Sequence, residues 1–104
     1  MRPLEGLTVV ALEQAVAAPF ATARLADAGA RVIKIERAEG DFARHYDKLA
    51  AGQSSYFVWL NRGKESVVAD LTTPEGKALL ADLITTADVL VQNIKPGALA
   101  RLGF

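Results

Sequence analysis

The sequence contains no cysteine, one histidine and one tryptophan, and it has no excess of either charge, with twelve Lys plus Arg against twelve Asp plus Glu. Without cysteine there is no disulfide framework, no thiolate zinc site and no thiol nucleophile, which fits a reducing, cytoplasmic setting. A lone histidine with no cysteine beside it makes a metal site improbable. The even charge balance gives no basic face to condense on phosphate backbones and no basic amphipathic segment for a bilayer, so neither nucleic acid nor membrane is an expected partner. Long apolar runs are missing too. The early one, Leu7 to Leu12, is bracketed by Glu5 and Glu13 and is far shorter than the ~20 residues a membrane span requires. It is neither an anchor nor a signal peptide.

What is present is a chain of 104 residues, 51% hydrophobic. The length suits one compact domain of ~100 to 150 residues. Counting the eight glycines and leaving out the two tyrosines, the apolar share exceeds the ~45–50% usual for that set. Nineteen alanines soften the excess, but it points to more covered surface than a free domain of this size needs.

Short apolar runs alternate with longer amphipathic ones. Thr8 to Leu12 is β-branched and almost continuously apolar, as a strand covered on both faces should be. After the connector Glu13 to Ala18, Pro19 suits the first turn of a helix over Phe20 to Ala28, with Gly29 placed for a left-handed C-terminal cap. Arg31 to Ile35 is a second strand. Ala38 to Gln53 has no clear period and is expected to be a loop with room for a helical turn. Tyr56 to Leu60 fits a helical turn or a strand, and periodicity does not arbitrate. A turn at Asn61 to Lys64 leads to a third strand, Ser66 to Ala69. Thr73 as cap, Pro74 at the first helical position and Glu75 in the first turn open a helix whose buried stripe is Leu80, Leu83, Ile84 and Ala87. Asp88 to Gln92 is a fourth strand, and Pro96-Gly97 opens a last short helix ending near Leu102-Gly103.

Four strands joined by helical crossovers imply an α/β, doubly wound, mostly parallel sheet with helices on its faces. In such sheets ligands bind outside the carboxyl ends of the strands. That rule nominates Glu13 to Ala18, Glu36-Arg37, Asp70 to Thr72 and Asn93 to Lys95.

Glu36, at the end of the second strand, stands where a ribose-binding carboxylate of a nicotinamide dinucleotide site would be, yet the connector Glu13-Gln14-Ala15-Val16-Ala17-Ala18-Pro19 lacks the glycines a wrapped diphosphate needs. Alanines 15, 17 and 18 still keep that wall thin. Arg37, directly after a buried strand, is either a solvated charge or a bidentate phosphate contact, with the second favoured. The Asn93 amide can cap the following turn or bond a nucleobase edge or a pantetheine amide. Lys95 and Arg101 flank the last helix as surface cations or phosphate holders. His45 fits an exposed loop, Glu39, Asp41 and Asp47 form a loose acidic set, and Ser54-Ser55 have no matching base. Tyr56, Phe57 and Trp59 are most simply packing residues, with adenine stacking the lesser alternative.

Taken together, Leu4-Glu5-Gly6-Leu7-Thr8-Val9-Val10, Ala18-Pro19-Phe20 and the run from Leu25 to Arg37 look like the opening of a family III CoA-transferase of the CaiB/BaiF type. Gly40-Asp41, Tyr56-Phe57, Asn61 to Ser66, Asp70 to Gly76, Ala87-Asp88-Val89 and Asn93 through Pro96-Gly97 to Phe104 agree in order and spacing. The similarity spans the whole chain. It implies a Rossmann-like CoA-binding segment over residues 1–104, incomplete relative to the family, whose full fold is an intertwined homodimer acting on acyl-CoA and a small carboxylate. CoA is then a substrate, with no tightly bound cofactor. Carried over by position, Val16 and Ala17 line the nucleotide pocket and Arg37 contacts the adenosine phosphate end. Ala69 to Thr72, Leu71 among them, border the adenine. Asn93, Ile94 and Lys95 follow the CoA chain, and Arg101 adds a phosphate contact. The family often has glycine where Ala18 stands and a basic residue where Thr72 stands. Its catalytic aspartate lies beyond Phe104, so no catalytic residue is assigned here and the chain alone is expected to be inactive. An α-methylacyl-CoA racemase of the same fold and a non-catalytic CoA-binding module or assembly subunit stay open.

Overall fold

The computed structural model describes residues 2–104. Its elements in chain order are β1 (Thr8–Leu12), α1 (Ala17–Asp27), β2 (Arg31–Glu36), a 3-10 turn (Phe42–His45), α2 (Ser55–Asn61), β3 (Lys64–Val68), α3 (Pro74–Thr86), β4 (Val89–Gln92) and α4 (Ala98–Arg101). The four strands form one sheet in the order β3-β2-β1-β4, and every pairing is parallel, with Val10 opposite Ile33 and Leu90, and Ile35 opposite Val67. The order reverses at β1, so the connectors leaving β1 and β4 diverge there, the switch point at which such sheets bind ligands.

The near-continuous apolar strands are explained by cover on both faces. Val10, Leu12, Ile33 and Ile35 pack with Ala69 and Leu80 on one side, against Leu83 and Ile84 of α3 and Leu99 of α4. Val9, Ala11 and Val32 point the other way and meet Ala26 and Leu25 of α1. α1 carries alanine on its buried positions 18, 23 and 26, so it can lie close to the strands.

Helix ends follow local chemistry. The Thr73 hydroxyl accepts from the Gly76 N–H and Pro74 occupies the first turn of α3. After α1 the chain turns through Gly29 at φ +109°, a conformation that costs glycine little.

Some boundaries differ from the sequence expectation. α1 begins at Ala17, ahead of Pro19, because Pro19 lacks only a donor that the first turn leaves unpaired anyway. Tyr56 to Leu60 resolves as helix, with the Ser54 side chain capping α2 through the Phe57 N–H. The third strand starts at Lys64 rather than Ser66. Its first residues are charged and look like turn, but the Lys64 side chain is buried and Glu65 pairs with Arg31 of the neighbouring strand. β4 starts at Val89, while the Asp88 carboxylate accepts from the Thr8 N–H at 2.8 Å.

Candidate functional site: a cleft across the strand ends

A cleft of about 450 Å³ opens at the carboxyl ends of the sheet, lined by residues 12–14 after β1, 35–41 after β2 and 69–72 after β3, with Ile94 and Leu102. A volume of that order suits a small-molecule site of ~300–1,000 Å³. Among the residues named from the sequence, Arg37, Ala69, Leu71, Thr72 and Ile94 line it. Val16, Ala17, Asn93, Lys95 and Arg101 lie outside its lining.

Arg37 leaves β2 at the rim, half exposed. Its Nε donates to the Gly40 carbonyl at 3.2 Å and its guanidinium sits 4.2 Å from the centre of the Phe42 ring, so the cation is braced where it leaves the sheet. Thr72 donates through N–H and hydroxyl to one Asp70 oxygen, at 2.9 and 2.6 Å, which holds the Asp70 carboxyl below its ordinary value. Asn93 accepts from the Gln14 N–H at 2.9 Å and donates to the Gln14 carbonyl at 3.0 Å. Both ends of that amide are therefore spent on clasping the β1–α1 connector. The Arg101 guanidinium folds back over Gly97, where a Cβ would meet it at 2.9 Å. Val16 and Ala17 form the exposed start of α1.

Beneath the cleft floor is an ionic network that sequence reasoning missed. Lys34, 1% exposed, donates to Glu13 Oε2 at 3.2 Å and to Asp41 Oδ2 at 2.7 Å. Lys64 reaches the same Glu13 oxygen at 2.6 Å and also Asn61 Oδ1 and the Pro19 carbonyl. Thr22 donates to the other Glu13 oxygen at 2.5 Å. Arg44 holds Glu36 bidentately at 2.8 and 2.7 Å, and Ser66 donates to Glu36 Oε2. Three cations thus meet three carboxylates where unpaired charge would be costly. No buried side-chain polar atom among the described residues lacks a partner. Burial lowers the Lys64 pKa against the opposing pull of Glu13. For Glu36 burial alone would raise the pKa, but bonds from Arg44, Ser66 and the Asp41 N–H bring it from 4.5 down to about 2. One signal was legible: a lysine in the middle of Arg31-Val32-Ile33-Lys34-Ile35, a strand covered on both faces, demands a carboxylate nearby.

The network also disposes of the nicotinamide reading. Both Glu36 oxygens are committed to protein donors, so none is left for a ribose hydroxyl. Ser54 is absorbed in capping α2, and Ser55 in bonds to Asp47. His45 is exposed in the 3-10 turn. Among the described residues no three His, Asp or Glu side chains are placed to hold a metal ion, and no helix is long and apolar enough to cross a membrane.

Comparison with known proteins agrees with this geometry. The chain is 44% identical over 103 residues to an acetyl-CoA:oxalate CoA-transferase of Acetobacter aceti, covering 98% of this chain and 26% of the relative. It is 45% identical over 109 residues to a succinate–glutarate CoA-transferase of Agrobacterium fabrum, covering 97% of this chain and 27% of the relative. The chain therefore spans about a quarter of the length of these curated relatives. Among solved structures, a CaiB/BaiF family protein from Brucella suis superposes with a TM-score of 0.91 at 41% identity, over 99% of this chain and 29% of that one. The family model for CoA-transferase family III matches residues 4–104. The match to the family model over nearly the whole chain, with a solved CaiB/BaiF structure superposing over 99% of it, places the chain in CoA-transferase family III.

Proposed function

We propose that this chain is the CoA-binding N-terminal part of an acyl-CoA:carboxylate CoA-transferase, a Rossmann-like segment of a larger, intertwined homodimeric fold in the cytoplasm. The observation that carries the reading is the cleft across the strand ends, with a braced cation, Arg37, at its rim. In this reading Arg37 meets the adenosine phosphate end, while Ala69, Leu71 and Thr72 border the adenine. Ile94 and Lys95 follow the pantetheine, with Asn93 beside them shaping that path by clasping Gln14 rather than by bonding the ligand with its amide. Arg101 adds a phosphate contact, and Val16 and Ala17 complete the nucleotide wall. CoA enters as acyl-CoA substrate and leaves, so no tightly bound cofactor is required. The named relatives, an acetyl-CoA:oxalate and a succinate–glutarate CoA-transferase, favour transfer between small carboxylic acids over α-proton abstraction by a racemase.

In the full enzyme an aspartate carboxylate attacks the acyl thioester, forming a mixed anhydride and releasing CoA thiolate, which attacks the aspartyl carbonyl, expels the donor carboxylate and leaves an aspartyl-CoA thioester. The acceptor carboxylate then displaces CoA thiolate to form a second anhydride, and the thiolate takes the acceptor's acyl group and frees the aspartate. Covalent catalysis of this kind divides one difficult transfer into easier steps. Of the five carboxylates lining the cleft, Glu13, Glu36 and Asp41 are held by cations or backbone amides, Asp70 accepts from Thr72, and Glu39 is exposed beside Arg37; none is assigned that role. The isolated chain is expected to bind CoA without turning it over.

Calorimetric titration tests this. CoA should give saturable heat and NAD none, and Arg37→Ala should weaken CoA about tenfold, the scale of one charge-assisted contact. Saturable NAD binding without CoA binding would overturn the reading. Turnover by the chain with acyl-CoA and a carboxylate would overturn its inactivity.

A further inference from the structure

We propose that Asp41 is the positioning residue of the cleft, holding the β1–α1 connector against the loop that follows β2; the inference rests on the CoA reading above. Asp41 is 4% exposed and belongs to the cleft lining. Its Oδ1 accepts from the Ala43 N–H at 2.9 Å, the ordinary cap of the 3-10 turn. The same oxygen accepts from the Ala15 N–H at 2.8 Å, a bond that capping does not explain. Its Oδ2 takes the Lys34 ammonium at 2.7 Å and its own N–H donates to Glu36 Oε1 at 2.9 Å. One side chain therefore joins the connector, β2 and the following loop.

Ala15 shows what the tie does. It is held at φ +62°, where an L-residue's Cβ crowds the following carbonyl and where alanine is seldom found. An alanine stays there only if its surroundings over-determine it. Gln14, its neighbour, is clasped on both sides by Asn93, and Ala15 is fixed by Asp41. The connector is thus pinned from β4 on one side and from the β2 loop on the other. A ligand lying along the strand ends meets a wall whose position depends on the Asp41 bond.

The test uses Asp41→Asn, which keeps size but turns an N–H donor either toward the Lys34 ammonium or toward the Ala15 and Ala43 amides, so one tie breaks in either orientation. CoA affinity, measured by calorimetry on variants whose circular dichroism matches the parent, should fall about tenfold or more, the penalty expected for misplacing a binding wall. Ala15→Gly, which removes the cost of positive φ, should recover at least half of that loss in the Asp41→Asn background and change affinity less than about twofold alone. Unaltered binding in Asp41→Asn, or no recovery with glycine, overturns the proposal. Should the parent chain give no heat with CoA, the CoA reading falls. In that case, or should Asp41→Asn not fold, the parent's Ala15 amide decides the tie: hydrogen exchange as slow as in β1 supports it, and exchange at the open-loop rate overturns it.

Discussion

A lysine buried inside a strand keeps its charge only where carboxylates surround it, and Lys34 has Glu13 and Asp41. Replacing it with methionine preserves length but leaves two buried acids short of a cation. Lys34→Met should therefore lower unfolding stability by about 3–5 kcal/mol, the range for breaking a buried pair by removing one partner, as measured by urea titration. Glu36 gives a pH signature. Its carboxyl titrates near 2 in the folded chain against 4.5 ordinarily, so its stabilisation is fully present above about pH 4.5 and is lost as pH falls toward 2. Acid titration of stability should show that loss, and Glu36→Gln should flatten this part of the profile. An unchanged acid slope in the variant would show that the Arg44 pair contributes nothing. These roles were only partly legible in the sequence. Lys34 passed as part of an apolar strand although a lone charge there calls for a carboxylate, and Asp41 looked like one of three loose loop acids because its partners, Ala15 and Lys34, come from other elements.

At the scale of elements, α3 shows where local preference and packing disagree. Helix propensity favours alanine over glycine by ~1 kcal/mol in a helix interior, which would make Gly76→Ala stabilising. A Cβ at Gly76, however, would stand 1.9 Å from the Asp70 carbonyl oxygen, a backbone atom that cannot swing aside. The substitution should lower Tm by more than about 5 °C, since ~1 kcal/mol corresponds to ~4–8 °C in a domain of this size. Scanning calorimetry checks it, and a raised Tm would mean that the approach relaxes freely. The four strands, α1 and α3 were foreseeable from apolar runs, caps and Pro or Gly placement, while α2 stood open between a helical turn and a strand. The start of β3 was not, because Lys64 owes its burial to Glu13, fifty-one positions away, and no local pattern reports that pairing.

At the scale of the whole molecule, the apolar surplus of the composition emerges partly on the surface. Phe20, Trp59, Tyr56 and Tyr46 form a chain of edge-on aromatic contacts with ring centres 5.6–6.1 Å apart, and each ring is roughly half exposed. Contiguous exposed aromatics of this kind mark a face that another surface covers. The folded chain should brighten a hydrophobic dye such as ANS, and a Tyr56→Ser, Trp59→Ser double variant should lose most of that signal while keeping its circular dichroism. Dye binding that survives the double variant would place the sticky surface elsewhere, for example at the exposed Val68 or Val89 on the two edge strands.

Taken alone, the sequence determined the layered α/β class, because short, near-continuous apolar strands and capped amphipathic helices are local properties of neighbouring residues. It also pointed to the carboxyl ends of the strands, where the cleft lies, since that follows from parallel topology. Tertiary structure alone decided the strand order, which brings β1 between β2 and β4, and decided which charges are free. Arg37 remains at the rim while Asn93 and Glu36 are consumed by partners. The physical reason is that pairing of buried charges and amides is set by distances between residues far apart in the chain, and such distances exist only once the sheet has assembled.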